Sequence, residues 1–229
     1  MVRTPVRHDL LHFDPSAWPI LLGGRPDLQA LNGVRDWQTY RYPLMSRRRQ
    51  PDDPAGGWPV GIALPPSQGK LRLALNIAPE HVVSVEHPPL LRDALDGRLS
   101  GRLPGAWTAR STQLDDACAT VGLAPRLFGG AMWQCVTGVP YLTDNSDLDL
   151  IWPVPADAID RVPDLLRALG LIDAMDGPRL DGEIVFGSAG AVQWRELAAA
   201  GPDDTILVKT ETTVEIMTRA QLLASASGS

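Results

Sequence analysis

Cysteine is nearly missing from this chain: Cys118 and Cys135 are the two present in 229 residues. Their spacing matches neither a thiolate metal site nor a disulfide framework, and a reduced, cytoplasmic setting is expected. No stretch of about 18 consecutive apolar residues exists, so no membrane span and no membrane partner are expected. The N-terminal MVRTPVRHDLLHFD lacks an apolar segment with a cleavage site, and no secretory signal is read there. There is no GxSxG elbow and no Cys/His pairing, which argues against a covalent acyl-enzyme. The net charge is −6, with no basic stripe interleaved with aromatics, so no nucleic-acid partner is expected. No fixed-period repeat and no long low-complexity segment is found.

The rest of the composition is that of an ordinary globular protein, 44% apolar and 21% charged. Its length fits one large domain or two small ones, with room for a real core. Twenty-one prolines and twenty-one glycines favour loops and short elements over a helical bundle. Charge is unevenly spread. Residues 1–105 carry 13 Lys and Arg against 10 Asp and Glu, while residues 106–229 carry 8 against 17. An acidic half suits divalent cations and a basic half suits a polyanion, although on charge alone solvated surface is the favoured reading.

The first third reads as a small β-rich domain. Strands are expected at RYPLM (41–45), WPVGIAL (58–64) and KLRLALNIA (70–78), with QPDDPAGG (50–57) a loop. In the third strand Leu71, Leu73, Leu75 and Ile77 share one face, and Arg72 and Asn76 the other. LSGRLPGAW (99–107) is a linker or loop, and the domain boundary is drawn between residues 95 and 96. A helix follows over 108–123. RLFGG (126–130) is then a strand entering a turn, and AMWQCVTG (131–138) a helix leaving it. DLDLIW (147–152) is a strand. Ala156 to Leu169 forms an amphipathic helix with Ile159, Val162, Leu165, Leu166 and Leu169 inward and Gly170 at its C-cap. Strands at 179–186, 205–210 and 213–217 and a short helix at 192–200 complete the chain. Strands and helices mix without strict alternation, giving an α+β domain with a mixed sheet.

The chemistry concentrates in one stretch. Asp147 and Asp149 lie two apart on a strand, so both face one side, while Leu148, Leu150 and Trp152 face the core. Two carboxylates on one face repel unless a cation lies between them, and hard oxygen ligands suit magnesium, with manganese as the alternative. Upstream, Gly129 and Gly130 follow an apolar strand and open a helix; such a turn brings backbone N–H groups and a helix N-terminus to a phosphate. Asn145 and Ser146 can also reach a phosphate or order the loop. Downstream, Asp181 and Glu183 share another strand face, and either can complete a three-carboxylate, two-metal site. A solvent-facing strand is the bland reading of both pairs.

This order of strand, glycine turn, helix, DxD strand and later acidic strand resembles the polymerase-beta-type nucleotidyltransferases. Phe128-Gly129-Gly130, Asp147-Leu148-Asp149 and Asp181 or Glu183 occupy the pattern's places. Sixteen residues separate Gly130 from Asp147, longer than the common spacing of that superfamily. Further strings are more specific: VRHDLL (6–11), SRRR (46–49) before WPVGI (58–62), WQCVTGVPYLT (133–143) running into SDLDL (146–150), RLDGE (179–183), VQWREL (192–197) and ILVKT (206–210). Together they resemble the malonate decarboxylase holo-acyl carrier protein synthases, or phosphoribosyl-dephospho-CoA transferases, over nearly the whole chain.

The resemblance implies transfer of phosphoribosyl-dephospho-CoA from triphosphoribosyl-dephospho-CoA to a serine of the acyl carrier protein subunit of malonate decarboxylase, with release of pyrophosphate. Asp147 and Asp149 would hold one metal, and Asp181 or Glu183 would share a second; Gly129, Gly130 and Ser146 would seat the triphosphate. Arg47, Arg48 and Arg49, the densest positive charge, suit the substrate's phosphates or the carrier protein, or form an exposed basic loop. Lys209 would neutralise phosphate near the acidic face, or snorkel to water. His8 and His12, four apart, could share a helix face near Asp9 and Asp14, although a metal site there is disfavoured. Trp133 and Trp194 suit the core better than stacking on adenine, and Cys135 reads as a small buried residue. Two rival readings stay open: a nucleotidyltransferase using ATP with another acceptor, and a non-catalytic module that binds a carrier protein or nucleotide.

Overall fold

The computed structural model describes residues 2–143 and 145–228. The chain divides into two compact units, one of residues 1–88 with 139–141, the other of residues 89–138 with 142–229. The division falls at 88/89, and the sequence reading drew it at 95/96.

The first unit is built from β1 (Leu10–Phe13), α1 (Trp18–Leu21), α2 (Pro26–Gln29), α3 (Asn32–Tyr40), β2 (Leu44–Ser46), β3 (Trp58–Ala63), β4 (Arg72–Ile77) and β5 (Val82–Glu86). Its five strands form one antiparallel sheet in the order β4-β3-β2-β1-β5. The strand expected at 41–45 starts later, at Leu44, because α3 runs on to Tyr40 and Arg41 takes a left-handed cap. In β4, Leu75 and Ile77 are buried as the alternation requires, while Leu71 before the strand is exposed. The helical stretch between β1 and β2 was not expected. Its strongest member, α3, buries Val34 and Trp37 three apart, and the Trp37 indole donates to the Pro43 carbonyl at 3.0 Å. His8 and His12 do not share a helix. His8 sits in a turn at φ +78° and His12 lies in β1. The Tyr141 hydroxyl, from the 139–141 segment, donates to the Ala63 carbonyl at 2.8 Å.

The second unit contains α4 (Leu91–Leu95), α5 (Thr108–Val121), β6 (Arg126–Leu127), α6 (Gly129–Thr137), β7 (Leu148–Pro153), α7 (Val162–Asp173), β8 (Leu180–Val185), β9 (Ala191–Gln193), α8 (Trp194–Ala199), β10 (Thr205–Lys209), β11 (Val214–Thr218) and α9 (Arg219–Ser227). Six strands form a mixed sheet in the order β11-β10-β9-β8-β7-β6, in which β7 and β8 run parallel and the other neighbours antiparallel. A parallel pair needs a crossover, and α7 supplies it. The protein is therefore α+β, with a β-rich N-terminal unit. Among the described residues no helix is long and apolar enough to cross a membrane.

Leu148, Leu150 and Trp152 are fully buried on one face of β7, and the Trp152 indole donates to Cys118 of α5 at 3.4 Å. Gly182 is what allows β8 to lie this close: a Cβ there would run into the Leu150 carbonyl oxygen and the Trp152 ring. Several helix limits differ from expectation. Residues 156–161 form a 3-10 turn, and α7 begins at Val162 with Pro163 in its first turn, where a missing N–H costs nothing. The helix then passes through Gly170 to Asp173, so Gly170 is an interior residue and not the C-cap; burial of Ile172 holds that last turn down. Val192 and Gln193 belong to β9, and the helix expected at 192–200 starts at Trp194, capped by the Gln193 side chain.

Candidate active site on the mixed sheet

Parallel pairing sets Asp149 opposite Asp181. In-register neighbours put their side chains on the same side of a sheet, at a strand separation of about 4.8 Å. The alternation carries the same face onward: Glu183 lies opposite Gln193, and Lys209 opposite Ala191. Asp149, Asp181, Glu183, Gln193 and Lys209 thus share the face away from the Leu148, Leu150 and Trp152 core.

The glycine turn meets this face. Phe128 is extended, and its N–H donates to the Asp149 carbonyl at 3.0 Å. Gly129 then turns to φ +55° and α6 begins. A Cβ on Gly129 would fall inside the envelope of the Asp149 Oδ2 atom. Position 129 therefore excludes a side chain twice, by its backbone angle and by the carboxylate packed on it. Asp149 lies against the first turn of α6, where orphan N–H groups favour negative charge. Gly130 is half-buried in the same turn.

Asp181 is held through one oxygen. Its Oδ1 accepts from the Gly182 N–H at 2.9 Å and from Gln193 Nε2 at 3.2 Å. Glu183 is buried, and its Oε1 accepts from Lys209 Nζ at 2.7 Å. Lys209 thus sits on the acidic face, paired with a carboxylate. Asp147 stands just before β7. The Arg179 guanidinium, at the start of β8, donates to both its oxygens, Nε to Oδ1 at 3.2 Å and an Nη to Oδ2 at 3.0 Å. Hydrogen bonding and charge from Asp147, then charge from Asp181, push the Arg179 pKa up. The strand expected to begin at Asp147 begins at Leu148, and the carboxylates of Asp147 and Asp149 are engaged differently.

Most of the other predicted positions have roles elsewhere. Ser146 closes a turn with Thr143: its Oγ accepts from the Thr143 N–H at 2.9 Å. Arg47, in the first unit, donates to both oxygens of Asp53 and to the carbonyls of Val60 and Leu75, which tie the 47–53 loop to β3 and β4. Arg49 donates to the carbonyls of Pro54 and Gly57. Among the described residues the Arg48 guanidinium has no hydrogen bond or ion pair. Trp133 and Trp194 are core residues, 2% and 4% exposed, and both cysteines are buried and unpaired. Arg179 and Gln193 were not singled out from the sequence; each stands one or two residues from a motif acid or helix start, and only the strand register shows where they point.

Asp149 and Asp181 fit a hard divalent ion: two carboxylates at sheet spacing, one beside a glycine turn that leaves room for it, the other bonded through a single oxygen. Among the described residues no group of three or more His, Cys, Asp or Glu is gathered into a metal cluster. Asp147 could join the pair only after Arg179 lets it go.

Comparison with known proteins covers nearly the whole chain. Residues 6–88 match the family model described as the phosphoribosyl-dephospho-CoA transferase MdcG N-terminal domain, and residues 91–220 its C-terminal domain. A phosphoribosyl-dephospho-CoA transferase of Bradyrhizobium diazoefficiens is 34% identical over 228 residues, covering 99% of this chain and 96% of that protein. One from Xanthomonas campestris pv. campestris is 32% identical over 223 residues, covering 94% and 95%. No solved structure matches. The two family models, met in order along the chain, and full-length relatives above 30% identity place this protein in the phosphoribosyl-dephospho-CoA transferase family, a family of transferases.

Proposed function

We propose that the protein transfers the phosphoribosyl-dephospho-CoA group of triphosphoribosyl-dephospho-CoA to a serine hydroxyl of a malonate decarboxylase acyl carrier protein, releasing pyrophosphate. The observation that carries this reading is the meeting of the Gly129 turn with the Asp149 and Asp181 pair on one sheet face. A glycine turn at a helix start is a phosphate seat, and a carboxylate pair beside it is a seat for the cation that accompanies phosphates.

Asp149 and Asp181 would hold magnesium or manganese, with Asp147 added when Arg179 releases it. The chemistry such an ion would supply there is charge neutralisation for the leaving pyrophosphate and acidification of the attacking hydroxyl. The chain's own groups do the positioning. The Gly129 and Gly130 backbone cradles the triphosphate tail. Arg179, set free from Asp147, has a planar fork matched to phosphate oxygens. Lys209 and Glu183 keep the far side of the face close to neutral, so added negative charge is not repelled there. The nucleophile comes from the partner, so the bond formed is serine oxygen to the phosphorus next to the ribose. The bond broken joins that phosphorus to the pyrophosphate oxygen. Catalysis of such a step is mainly alignment and electrostatics. Arg48 is the cation of its run that remains available for substrate or carrier.

The test is intact mass of the apo carrier protein after incubation with this protein, magnesium and the triphosphate donor. A mass gain equal to phosphoribosyl-dephospho-CoA, abolished by Asp149→Asn and by chelator, supports the reading. No gain from folded protein that binds the donor overturns it and points to another acceptor.

A further inference from the structure

Gln193 has no part in the mechanism above, yet its amide is used at both ends. Its Oε1 accepts from the N–H groups of Arg195 (2.7 Å) and Glu196 (3.0 Å), closing the start of α8. Its Nε2 donates to Asp181 Oδ1 at 3.2 Å. The two jobs are linked. An amide whose oxygen is taken by two backbone donors cannot turn over without losing both, so the nitrogen end is fixed toward Asp181. Helix α8, anchored by buried Trp194 and Leu197, thereby sets the direction of an amide donor on the acidic face.

The choice of residue supports this. Ser, Thr, Asp and Asn are the usual caps; Gln is not among them. A cap alone needs a short side chain. The extra methylene of Gln is what lets the nitrogen reach across from β9 to Asp181 on β8. The remaining donor to Oδ1 is the Gly182 N–H of the same strand. Two donors thus hold the carboxylate by Oδ1, while Oδ2 takes no hydrogen bond among the described residues.

We infer that Gln193 is a positioning residue that holds the Asp181 carboxylate in place beside Asp149. This rests on the proposed role of Asp181 as a cation ligand. Groups that orient ligands in this way change affinity or turnover by roughly 10- to 100-fold when lost.

Three variants of the full chain decide the matter. Gln193→Asn keeps a good cap and loses the reach. Gln193→Ala loses both and is assayed well below its own melting transition. Asp181→Asn tests the underlying reading. Each is followed by melting temperature, Mn2+ binding by electron paramagnetic resonance, and kcat and KM for carrier modification. The expected result is a Gln193→Asn protein that melts like wild type, binds Mn2+ about tenfold more weakly, and loses kcat by a similar factor with donor KM little changed. Gln193→Asn equal to wild type in Mn2+ binding and kcat, with losses confined to Gln193→Ala, shows a helix cap only and overturns the inference. Full Mn2+ binding and turnover in Asp181→Asn would sink the role of Asp181 itself, whatever Gln193 does.

Discussion

Gly129 and Asp149 are read most simply as one feature, a turn and an acid that exclude each other's substitution. A Gly129→Ala protein would place a Cβ both at φ +55° and on Asp149 Oδ2. The expected cost is about 1–3 kcal/mol of stability from the backbone, with turnover lowered at least a hundredfold because Asp149 must move. Thermal denaturation and the mass assay measure the two separately. Arg179→Gln gives a different pattern. The pair with Asp147 is exposed on the arginine side, so the melting temperature should not move. Donor KM should rise about tenfold as a phosphate contact is lost, whereas an unchanged KM would remove Arg179 from the substrate site. The cysteines provide a check on packing. Burial pushes both thiols up to about 11. A raised thiol pKa leaves almost no thiolate at pH 8, and the thiolate is the reactive form. Neither should react with a disulfide reagent at that pH until denaturant is added; prompt reaction of one thiol would contradict its burial. Of these residues Asp149, Asp181 and Glu183 were legible in sequence because spacing gives a strand face, and the glycines because a strand, a turn and a helix follow one another there. Arg179 and Gln193 were not, because their partners come from register between strands, which no local pattern encodes.

Helix α7 shows how an element can be identified while its ends are misread. Of the inward positions, Val162, Leu165, Leu166 and Leu169 are buried, as periodicity requires, while Ile159 is half-buried and lies in the 3-10 turn before the helix. Its start and stop moved by several residues because a proline permits a helix start and a glycine does not compel an end. Gly170 is exposed inside the helix, with open space where a Cβ would stand. Gly170→Ala should therefore stabilise the protein by about 0.5–1 kcal/mol, raising the melting temperature by roughly 2–4 °C with turnover unchanged. A left-handed cap at that position would give the opposite sign, so chemical denaturation discriminates. The strands were legible for a firmer reason: β3, β4, β7, β8 and β10 each alternate or carry β-branched runs over five or six residues. Helices α1 and α2 are four residues each, too short to show a period.

Across the whole molecule, the arginine run that looked like a ligand for polyanions is mostly committed to the fold. Arg47 holds Asp53 well enough to lower the Asp53 pKa, first through the hydrogen bonds it donates. A depressed carboxylate contributes stability that is present above its unfolded pKa, about 3.9, and is lost as pH falls through the lower folded value. Asp53→Asn should cost stability at pH 7, and the difference from wild type should shrink below about pH 4. Urea titrations at pH 7, 5 and 3 give that comparison, and a difference independent of pH would assign the loss to packing. Sequence density of charge could not separate Arg47 from Arg48, because what distinguishes them is the presence of Asp53 and two strand carbonyls within reach.

Residues 139–141 belong with the first 88 residues although they are encoded within the span of the second unit. The polypeptide therefore crosses between the two units three times, after residues 88, 138 and 141. A single protease nick at 88/89 leaves the Val139–Tyr141 strap, which belongs to the first unit, on the piece that carries the second. An expression clone ending at residue 88 makes an N-terminal piece without the tyrosine whose hydroxyl caps Ala63. A clone starting at 89 carries that tyrosine with nothing to cover it. Neither fragment cut at the obvious boundary is a faithful copy of its unit, and any grafting of one half onto a relative must carry these three residues with the opposite half of the gene.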